Sequence, residues 1–238
     1  MTTSLRRLLA GITLFITEFT LTLGLGALGT VAFLAIGREV FNEHAAPFDE
    51  AAFRWTRDLF GPTHQQWVEV LTFFASRNFI VAAALGLIGY FLLVRRHRWY
   101  SLLVPVVALG SITLNLLLKN FYHRPRPLLP LVSASGLSFP SGHAMISASF
   151  YGLLIYLTYT HIARPALRWG LMTGLAVLIL LIGLTRVYLR VHYATDVLAG
   201  YAAGIVWLLV AIPLLKRLEK IVKKRFKHNP QLVEKQLM

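Results

Sequence analysis

Six long apolar stretches alternate with short polar ones along this chain. A helix that crosses a bilayer must cover about 30 Å of hydrocarbon, which takes roughly 20 residues at a rise of about 1.5 Å each. The candidate spans lie at about 8–37, 78–94, 100–118, 144–161, 169–186 and 194–215. The turns at 95–99 and 162–168 are short, so neighbouring helices should run antiparallel. The pattern predicts an all-α polytopic membrane protein with a single domain, residues 1–238, folded as a six-transmembrane-helix bundle.

Two parts of this pattern allow a second interpretation. Span 78–94 is short, and the apolar residues 67–75 before it either lengthen it or form a separate amphipathic piece at the membrane surface. The stretch 8–37 has the apolar character of a signal peptide. It is longer than such regions usually are, however, and no clear small-residue cleavage site precedes the next charged residues. We therefore interpret it as a retained span.

The composition supports a membrane protein. Of the 238 residues, 56 % are hydrophobic and only 14 % are charged, which is unlike the balance of a soluble domain. The chain has no cysteine, so disulfides, thiol chemistry and cysteine-based metal sites are excluded.

The net charge of +14 would suit a nucleic-acid-binding protein, but the distribution of the charge indicates a membrane instead. With six spans and an internal N-terminus, 15 of the 24 Lys and Arg residues fall in inner segments, eight of them after Ile212. The positive-inside rule then predicts cytoplasmic N- and C-termini in the inner (cell) membrane and no nucleic-acid partner. The basic tail 216–238 should lie on anionic lipid headgroups.

The segment 38–66, between the first two spans, mixes acidic residues with arginines and contains Gly61-Pro62. It has no metal-ligand spacing. We interpret it as a solvated outer loop that can also form the rim of an entrance to a site.

Three polar segments interrupt the apolar pattern, and the first follows the third span. Lys119 ends that span, and the residues after it are punctuated by Pro125, Pro127 and Pro130, through which a helix cannot continue. Arg126 therefore sits in an extended loop that can fold back over Lys119. An ammonium point charge and a guanidinium fork suit different oxygens of one phosphate.

The second polar segment begins the fourth span. Pro140 stops the loop, Ser141 can cap the helix, and Gly142 lets the backbone approach a ligand. Free amides and the positive end of the helix dipole together form an anion site. His143, one residue further, would face that anion and could pass a proton.

The third polar segment lies between the last two spans and contains Thr185-Arg186, His192 and Asp196. His192 and Asp196 are four residues apart, so on a helix they share one face and Asp196 can accept a hydrogen bond from one ring nitrogen. That bond fixes the tautomer and leaves the other nitrogen as a lone-pair donor. Because a carboxylate that enters a span costs free energy, such a residue usually has a functional reason.

Together the three segments resemble the three-part signature of the type 2 phosphatidic acid phosphatases, a superfamily that also includes the vanadium haloperoxidases and glucose-6-phosphatase. The matching residues are Lys119 with Arg126-Pro127, then Pro140-Ser141-Gly142-His143, then Arg186 with His192 and Asp196. The family's third motif often begins Ser-Arg, and Thr185 replaces that serine here but keeps a hydroxyl. The motifs cover about 119–196, and the six-span layout extends the likeness over most of the chain.

The resemblance implies a mechanism. His192 would attack phosphorus and form a phosphohistidine, Asp196 would hold His192, and His143 would protonate the leaving oxygen and then activate water. Cations and amides would bind the phosphoryl oxygens in place of a metal, so neither a metal nor another cofactor is expected. The residues assigned to phosphate binding are Lys119, Arg126, Ser141, Gly142 and Arg186.

Five neighbouring residues stay without an assigned role. Tyr188 and Arg190 either contact the lipid headgroup or are solvated loop residues, and His123 and Arg124 are expected to be exposed. Glu18 lies deep in the first span, where it pairs with a polar group or faces an internal cavity.

The leading hypothesis is a metal-independent lipid phosphatase that works at the outer face on a substrate drawn from the bilayer. Undecaprenyl diphosphate, phosphatidylglycerol phosphate, phosphatidic acid and the phosphates of a glycolipid anchor all fit. One alternative is a phosphotransferase that passes the group from His192 to another lipid. A second is a transporter or scaffold that only binds a phosphate headgroup. The sequence does not determine the preferred lipid or the oligomeric state.

Overall fold

The computed structural model describes residues 3–42, 44–61 and 65–228. Within these ranges the chain is helical, and its helices are joined by short connections except for the long loop between residues 122 and 142. In chain order the elements are α1 (Thr3–Phe41), α2 (Ala46–Phe60), α3 (Gln65–Phe73), α4 (Arg77–Gly89) with a π-helical turn (Tyr90–Val94), α5 (Arg98–Tyr122), α6 (Gly142–His161), α7 (Pro165–Tyr188) and α8 (Ala194–His228).

Five helical segments of the described chain are long and apolar enough to cross a membrane. They are Thr20–Phe41, Gln65–Val94, Arg98–Tyr122, Pro165–Tyr188 and Ala194–Lys224. The prediction of an all-α polytopic membrane protein is confirmed, but the count of six spans is not. The remaining predicted span corresponds to α6, whose 20 residues include the buried Ser147 and Ser149. Ser149 Oγ meets Ser111 Oγ of α5 at 2.9 Å, and most residues in the first half of α6 are buried, so α6 is an interior helix.

The central helix α6 packs against α5, α7 and α8. Two glycines of α8 allow this helix to approach α6 closely. A Cβ atom at Gly200 would lie 2.7 Å from the carbonyl oxygen of Ser141, and one at Gly204 would lie 2.5 Å from that of Met145. Small residues four apart commonly allow such backbone contact between membrane helices. The contact brings the start of α8 beside the start of α6, and Ser141 N donates to the Asp196 carbonyl at 2.9 Å.

The predicted boundaries of the first two spans need adjustment. Helix α1 continues to Phe41, beyond the predicted end at 37, and the side chain of Glu18 lies outside the described residues. The apolar residues 67–75 belong largely to a separate helix, α3. Helix α4 then restarts at a new N-terminus, where Ser76 Oγ accepts a hydrogen bond from Phe79 N at 3.3 Å.

The interpretation of 38–66 as a loop is wrong for most of its described length, although most of its charged side chains are exposed. Residues 46–60 form helix α2, with a proline in its first turn, where the missing amide proton costs nothing. Its buried side consists of Asp49, Phe53 and Thr56. The sequence did not reveal this buried side, because Asp49 stands among acidic and basic residues that lie on the exposed face of the helix.

The largest apolar core lies between α4, α5, α6, α7 and α8. Val104, Val107, Phe150, Leu153 and Ile182 are all at most 1 % exposed there. Close packing of such side chains fixes the relative heights of the helices. The end of α5 that carries Lys119, the start of α6, the end of α7 and the start of α8 therefore lie at the same end of the bundle.

Candidate active site

The predicted nucleophile His192 is almost completely buried, with 2 % exposure. Its Nδ1 lies 3.4 Å from Asp196 Oδ2, and its Nε2 lies 3.3 Å from Arg126 Nη1. A guanidinium can only donate, so Nε2 accepts and the ring proton belongs on Nδ1, facing the carboxylate. Burial lowers the pKa of His192 to about 4, although the hydrogen bond that the ring donates to Asp196 acts to raise it. The ring is therefore neutral at pH 7, with a lone pair on Nε2.

The pairing of His192 with Asp196 was predicted, but the helical argument for it was wrong. Helix α8 begins at Ala194, so His192 precedes the helix instead of sharing a face with Asp196. Asp196 reaches back over the helix start, and its Oδ2 also accepts a hydrogen bond from Tyr193 N at 2.9 Å. This is the acidic half of a capping box, which orients the carboxylate toward the preceding turn.

Arg126 is held against the turn that contains His192. Its Nη1 donates to the Val191 carbonyl at 2.7 Å, and its Nε lies 3.1 Å from the carbonyl oxygens of Ser135 and Gly136. Burial lowers the pKa of Arg126, and the charge of Asp196 opposes that shift. The guanidinium thus stands beside Nε2 of His192, where the oxygens of a transferred phosphate would lie.

Arg186 and Lys119 add two further cations. Arg186 is 8 % exposed and donates from Nη1 to Thr72 Oγ1 of α3 at 2.8 Å. Its Nε is buried and has no hydrogen-bond partner among the described residues. Lys119 Nζ donates to the Leu137 carbonyl. A buried guanidinium N–H without an acceptor is costly, and an anion would satisfy it.

The start of α6 supplies backbone amides to the same place. Ser141 is the N-cap of the helix, as predicted, and its Oγ accepts from Ala144 N at 3.5 Å. A Cβ atom at Gly142 would lie 3.1 Å from Asn115 Oδ1, so glycine keeps this position open. Asn115 itself donates to the Pro140 carbonyl at 3.1 Å and fixes the turn before the helix.

His143 is the second residue of α6 and is partly exposed. It lies within electrostatic reach of Arg186, His192, Arg126 and Lys119. Its ring has no hydrogen-bond partner among the residues that the structure describes. The structure thus brings all eight predicted residues, listed above as catalytic or phosphate-binding, to one end of the bundle.

Sequence reasoning missed one basic and one acidic residue of the candidate site. Arg124, expected to be exposed, donates to Asp196 Oδ1 at 2.6 Å, and Asp49, expected on a solvated loop, accepts from Arg124 at 2.8 Å. Arg124 stands in an Arg-Pro-Arg-Pro run, and this repetition was the one local signal that it shares the environment of Arg126. Asp49 had no local signal.

The other unassigned residues have structural contacts. Tyr188 is buried at the end of α7 and donates to the Gly61 carbonyl at 2.8 Å, so it is not a solvated loop residue. The Arg190 guanidinium lies 4.9 Å from the centre of the Phe53 ring. His123 is exposed, as expected, and ends α5 in a left-handed conformation. In the described ranges, no three His, Cys, Asp or Glu side chains form a metal-binding group.

This chain is similar to proteins of a known family. The family model described as the PAP2 superfamily matches residues 98–220, more than half of the 238-residue chain. The chain belongs to the PAP2 superfamily. It is accordingly a membrane lipid phosphatase and a phosphoric monoester hydrolase, and the resemblance stated from the three motifs is confirmed.

Two sequence relatives have described activities. Phosphatidylglycerophosphatase B of Bacillus subtilis is 30 % identical over 175 residues, which are 73 % of this chain and 86 % of the relative. Decaprenylphosphoryl-5-phosphoribose phosphatase of Mycobacterium tuberculosis is 33 % identical over 128 residues, 50 % of this chain and 63 % of the relative.

Two crystal structures share the fold. The transmembrane PAP2 type phosphatidylglycerolphosphate phosphatase of B. subtilis superposes with a TM-score of 0.74 at 25 % identity. The superposition covers 81 % of this chain and 96 % of the B. subtilis chain. Aquifex aeolicus LpxE gives a TM-score of 0.54 at 20 % identity, with 68 % and 92 % coverage, and shows the likeness of fold alone.

Proposed function

We propose that this PAP2 phosphatase removes the terminal phosphate of a lipid without a metal ion, through a phosphohistidine on His192. One observation carries the proposal. The buried, neutral ring of His192 has Nδ1 toward Asp196 and Nε2 toward the guanidinium of Arg126. This is the arrangement of a nucleophile with an orienting carboxylate behind it and a phosphate-binding cation in front.

The reaction has two balanced steps. In the first, Nε2 of His192 gives its lone pair to phosphorus, the bond from phosphorus to the lipid oxygen breaks, and His143 gives a proton to that oxygen. In the second, His143 takes a proton from water, the water oxygen attacks phosphorus, and the bond to Nε2 breaks to release phosphate. The same residue acts first as acid and then as base, as microscopic reversibility requires.

The phosphoryl oxygens would be held by Lys119, Arg126, Arg186, Ser141 and the Gly142 amide. Charge spreads over these oxygens in the transition state, so preorganised cations and amides provide most of the stabilisation. Because these groups do the work of a metal, activity should persist in EDTA. Vanadate should inhibit, because its trigonal-bipyramidal form mimics the transition state. Loss of activity on chelation, with recovery in magnesium, would contradict the proposal.

We favour phosphatidylglycerol phosphate as the substrate, because the B. subtilis relative named for it aligns over most of both chains. The polyprenyl substrate of the mycobacterial relative's name makes a prenyl phosphate or diphosphate the second choice. The test is phosphate release by purified protein in detergent with EDTA, across phosphatidylglycerol phosphate, undecaprenyl diphosphate and phosphatidic acid, with His192→Ala as the control. Equal release by His192→Ala would overturn the mechanism.

The same first step would serve a phosphotransferase. Hydrolysis is favoured because the relatives of Bacillus subtilis and Mycobacterium tuberculosis are both named as phosphatases. An assay with ³²P-labelled substrate and an excess of a second lipid separates the two, because a transferase would move the label to the second lipid.

In the membrane, we propose that α6 is a sixth span, with both termini cytoplasmic and the catalytic end at the outer face. The absence of cysteine from the chain makes this simple to test. Single cysteines introduced at Leu128, an exposed position in the loop before α6, and at Arg164, in the turn after it, should react with a membrane-impermeant maleimide from opposite sides. Labelling of both from the same side would contradict the arrangement.

A further inference from the structure

A chain of buried ionic contacts leads from the catalytic carboxylate to helix α2. Asp196 has no solvent exposure, and its two oxygens have different partners. Oδ2 faces His192 and the Tyr193 amide, whereas Oδ1 accepts from Arg124 Nη1 at 2.6 Å. The oxygen that does not orient the nucleophile is therefore itself held by a cation.

Arg124 is fixed from several directions. Its side chain is 15 % exposed, and its Nη2 donates to Asp49 Oδ2 at 2.8 Å. The guanidinium carbon lies 3.9 Å from the centre of the Tyr193 ring, a cation–π distance. The backbone is held as well, because Ser138 N donates to the Arg124 carbonyl at 2.9 Å. Nη1 and Nη2 of Arg124 thus each bind a buried carboxylate.

Asp49 completes the chain at the start of α8. It is 2 % exposed, and its Oδ1 accepts from the amide of Thr195 at 2.9 Å and from the Thr195 hydroxyl at 3.0 Å. A carboxylate at free amides of a helix start satisfies donors that the helix leaves open and interacts favourably with its dipole. The next residue is Asp196, so Asp49 fixes the backbone that carries the catalytic carboxylate as well as the cation that holds it.

On the basis of the proposed function, we propose that Arg124 and Asp49 are positioning residues that act through Asp196 on His192. Without Arg124, two buried carboxylates would be left without their shared cation, an arrangement that carries a large desolvation penalty. Asp196 would then protonate or rotate, and the Nδ1 proton of His192 would lose its fixed acceptor. Attack by Nε2 would slow while the phosphate-binding cations stay in place.

The test is a double-mutant cycle with Arg124→Gln and Asp196→Asn, read by the rate of release of ³²P-phosphate. Arg124→Gln should lower kcat roughly 10–100-fold, the range for removal of an outer partner that orients a functional histidine. The KM should stay unchanged. In the Asp196→Asn background the same change should have less than a threefold effect, because residues that act as one unit are not additive.

Asp49→Asn provides a milder second variant that keeps the size of the side chain, and it should lower kcat in the same direction. The matched controls are Arg54→Gln and Glu50→Gln. These two substitutions on α2 remove one positive and one negative charge, as Arg124→Gln and Asp49→Asn do. The side chains of Arg54 and Glu50 are 61 % and 56 % exposed, so their substitution should leave kcat unchanged. Thermal unfolding in detergent verifies that each variant is folded.

Three results would overturn the inference. They are equal effects of Arg124→Gln in both backgrounds, a raised KM with unchanged kcat, or no effect of Arg124→Gln and Asp49→Asn in folded protein. The wild type and His192→Ala test the underlying function separately. If His192→Ala retains full activity, the phosphohistidine mechanism fails. If it is inactive and the Arg124 variant is normal, only this inference fails.

Discussion

The two ends of the helix bundle treat charge in opposite ways. At the end that carries the candidate site, Arg186, His192 and Asp196 are at most 8 % exposed, and their side-chain partners come from α3, α8 and the loops before α6 and α8. At the other end, Arg95 and Arg96, which follow the π-helical turn, are exposed. Cations of the second kind are common at the ends of membrane helices, where they reach the headgroups.

The difference shows which charges are tied to chemistry. A buried ion persists only when partners compensate its desolvation, and at the catalytic end those partners are buried carboxylates and carbonyls. Two donors there, Arg186 Nε and Arg190 Nε, are buried and have no hydrogen-bond partner in the described part of the chain. The exposed arginines need no such partners, because water or lipid headgroups solvate them.

The largest contrast should come from matched Arg→Lys changes at the two ends. Arg186→Lys keeps the charge but removes the guanidinium fork, and we expect kcat/KM to fall by about 10²–10³-fold, the effect of losing one transition-state donor. Arg95→Lys should change it by no more than about twofold, as for an ordinary surface substitution. Steady-state assays of both proteins measure this. A similar loss in both would mean that exposure does not separate the two groups.

Next in size is the close contact between α6 and α8. Gly200→Ala would place a methyl group 2.7 Å from the Ser141 carbonyl, whereas nothing lies within 4 Å of a Cβ at Gly174 in α7. Overpacking of this kind costs about 1–3 kcal/mol. We expect a lower unfolding temperature and lower activity for Gly200→Ala, and neither for Gly174→Ala. If Gly200→Ala unfolds at the wild-type temperature, the helices are not in backbone contact.

A smaller effect should follow from Thr72→Val. This change removes the hydroxyl that accepts from Arg186 Nη1 at 2.8 Å. A hydrogen bond to a charged group contributes about 1.5–3 kcal/mol, but water can replace part of it, so a fall in kcat/KM of about tenfold is expected. Thr160→Val, which removes an exposed hydroxyl at the opposite end, is the control. Identical kinetics for the two variants would exclude a role of α3 in holding Arg186.

The smallest expected change concerns pH. An unfolded histidine gains a proton below about pH 6.5, but folded His192 does so only near pH 4. Protonation therefore favours the unfolded state as the pH falls from about 6.5 to 4, and His192 contributes no such loss of stability above that range. In ¹⁵N NMR spectra, the signals absent from His192→Ala should show a neutral ring with its proton on Nδ1 from pH 8 to pH 5. A titration midpoint near 6.5 would contradict the burial of this ring.

Much of the fold could be read from local patterns. Apolar stretches of spanning length predicted every long helix of the described chain. The reason is that backbone N–H and C=O groups in hydrocarbon have no water to bind and must form hydrogen bonds with each other, as a helix allows. The prolines after Tyr122 and the cap at Ser141 marked helix ends through local chemistry. The count of spans differs, six against five, because α6, which is largely buried among α5, α7 and α8, is not among the segments long and apolar enough to span.

The site was predictable only in part. Motif spacing was enough to mark eight residues as candidates for the site, because they stand in three compact segments. They are Lys119, Arg126, Ser141, Gly142, His143, Arg186, His192 and Asp196. Asp49 could not be found in this way. Its contact with Arg124 joins residues 75 apart, and along the sequence it looks like any charged residue of a mixed-charge segment.

By itself, therefore, the sequence determined that this protein is a helical membrane phosphatase and which residues carry its motifs. Hydropathy, helix caps and motif spacing are local properties, so they can be recognised in the sequence without knowing how the helices pack. Only the tertiary structure decided the burial of His192, the two separate partners of the Asp196 oxygens and the place of Asp49 behind them. Those features depend on desolvation and on distances between helices, and these exist only once α2, α6 and α8 have packed together.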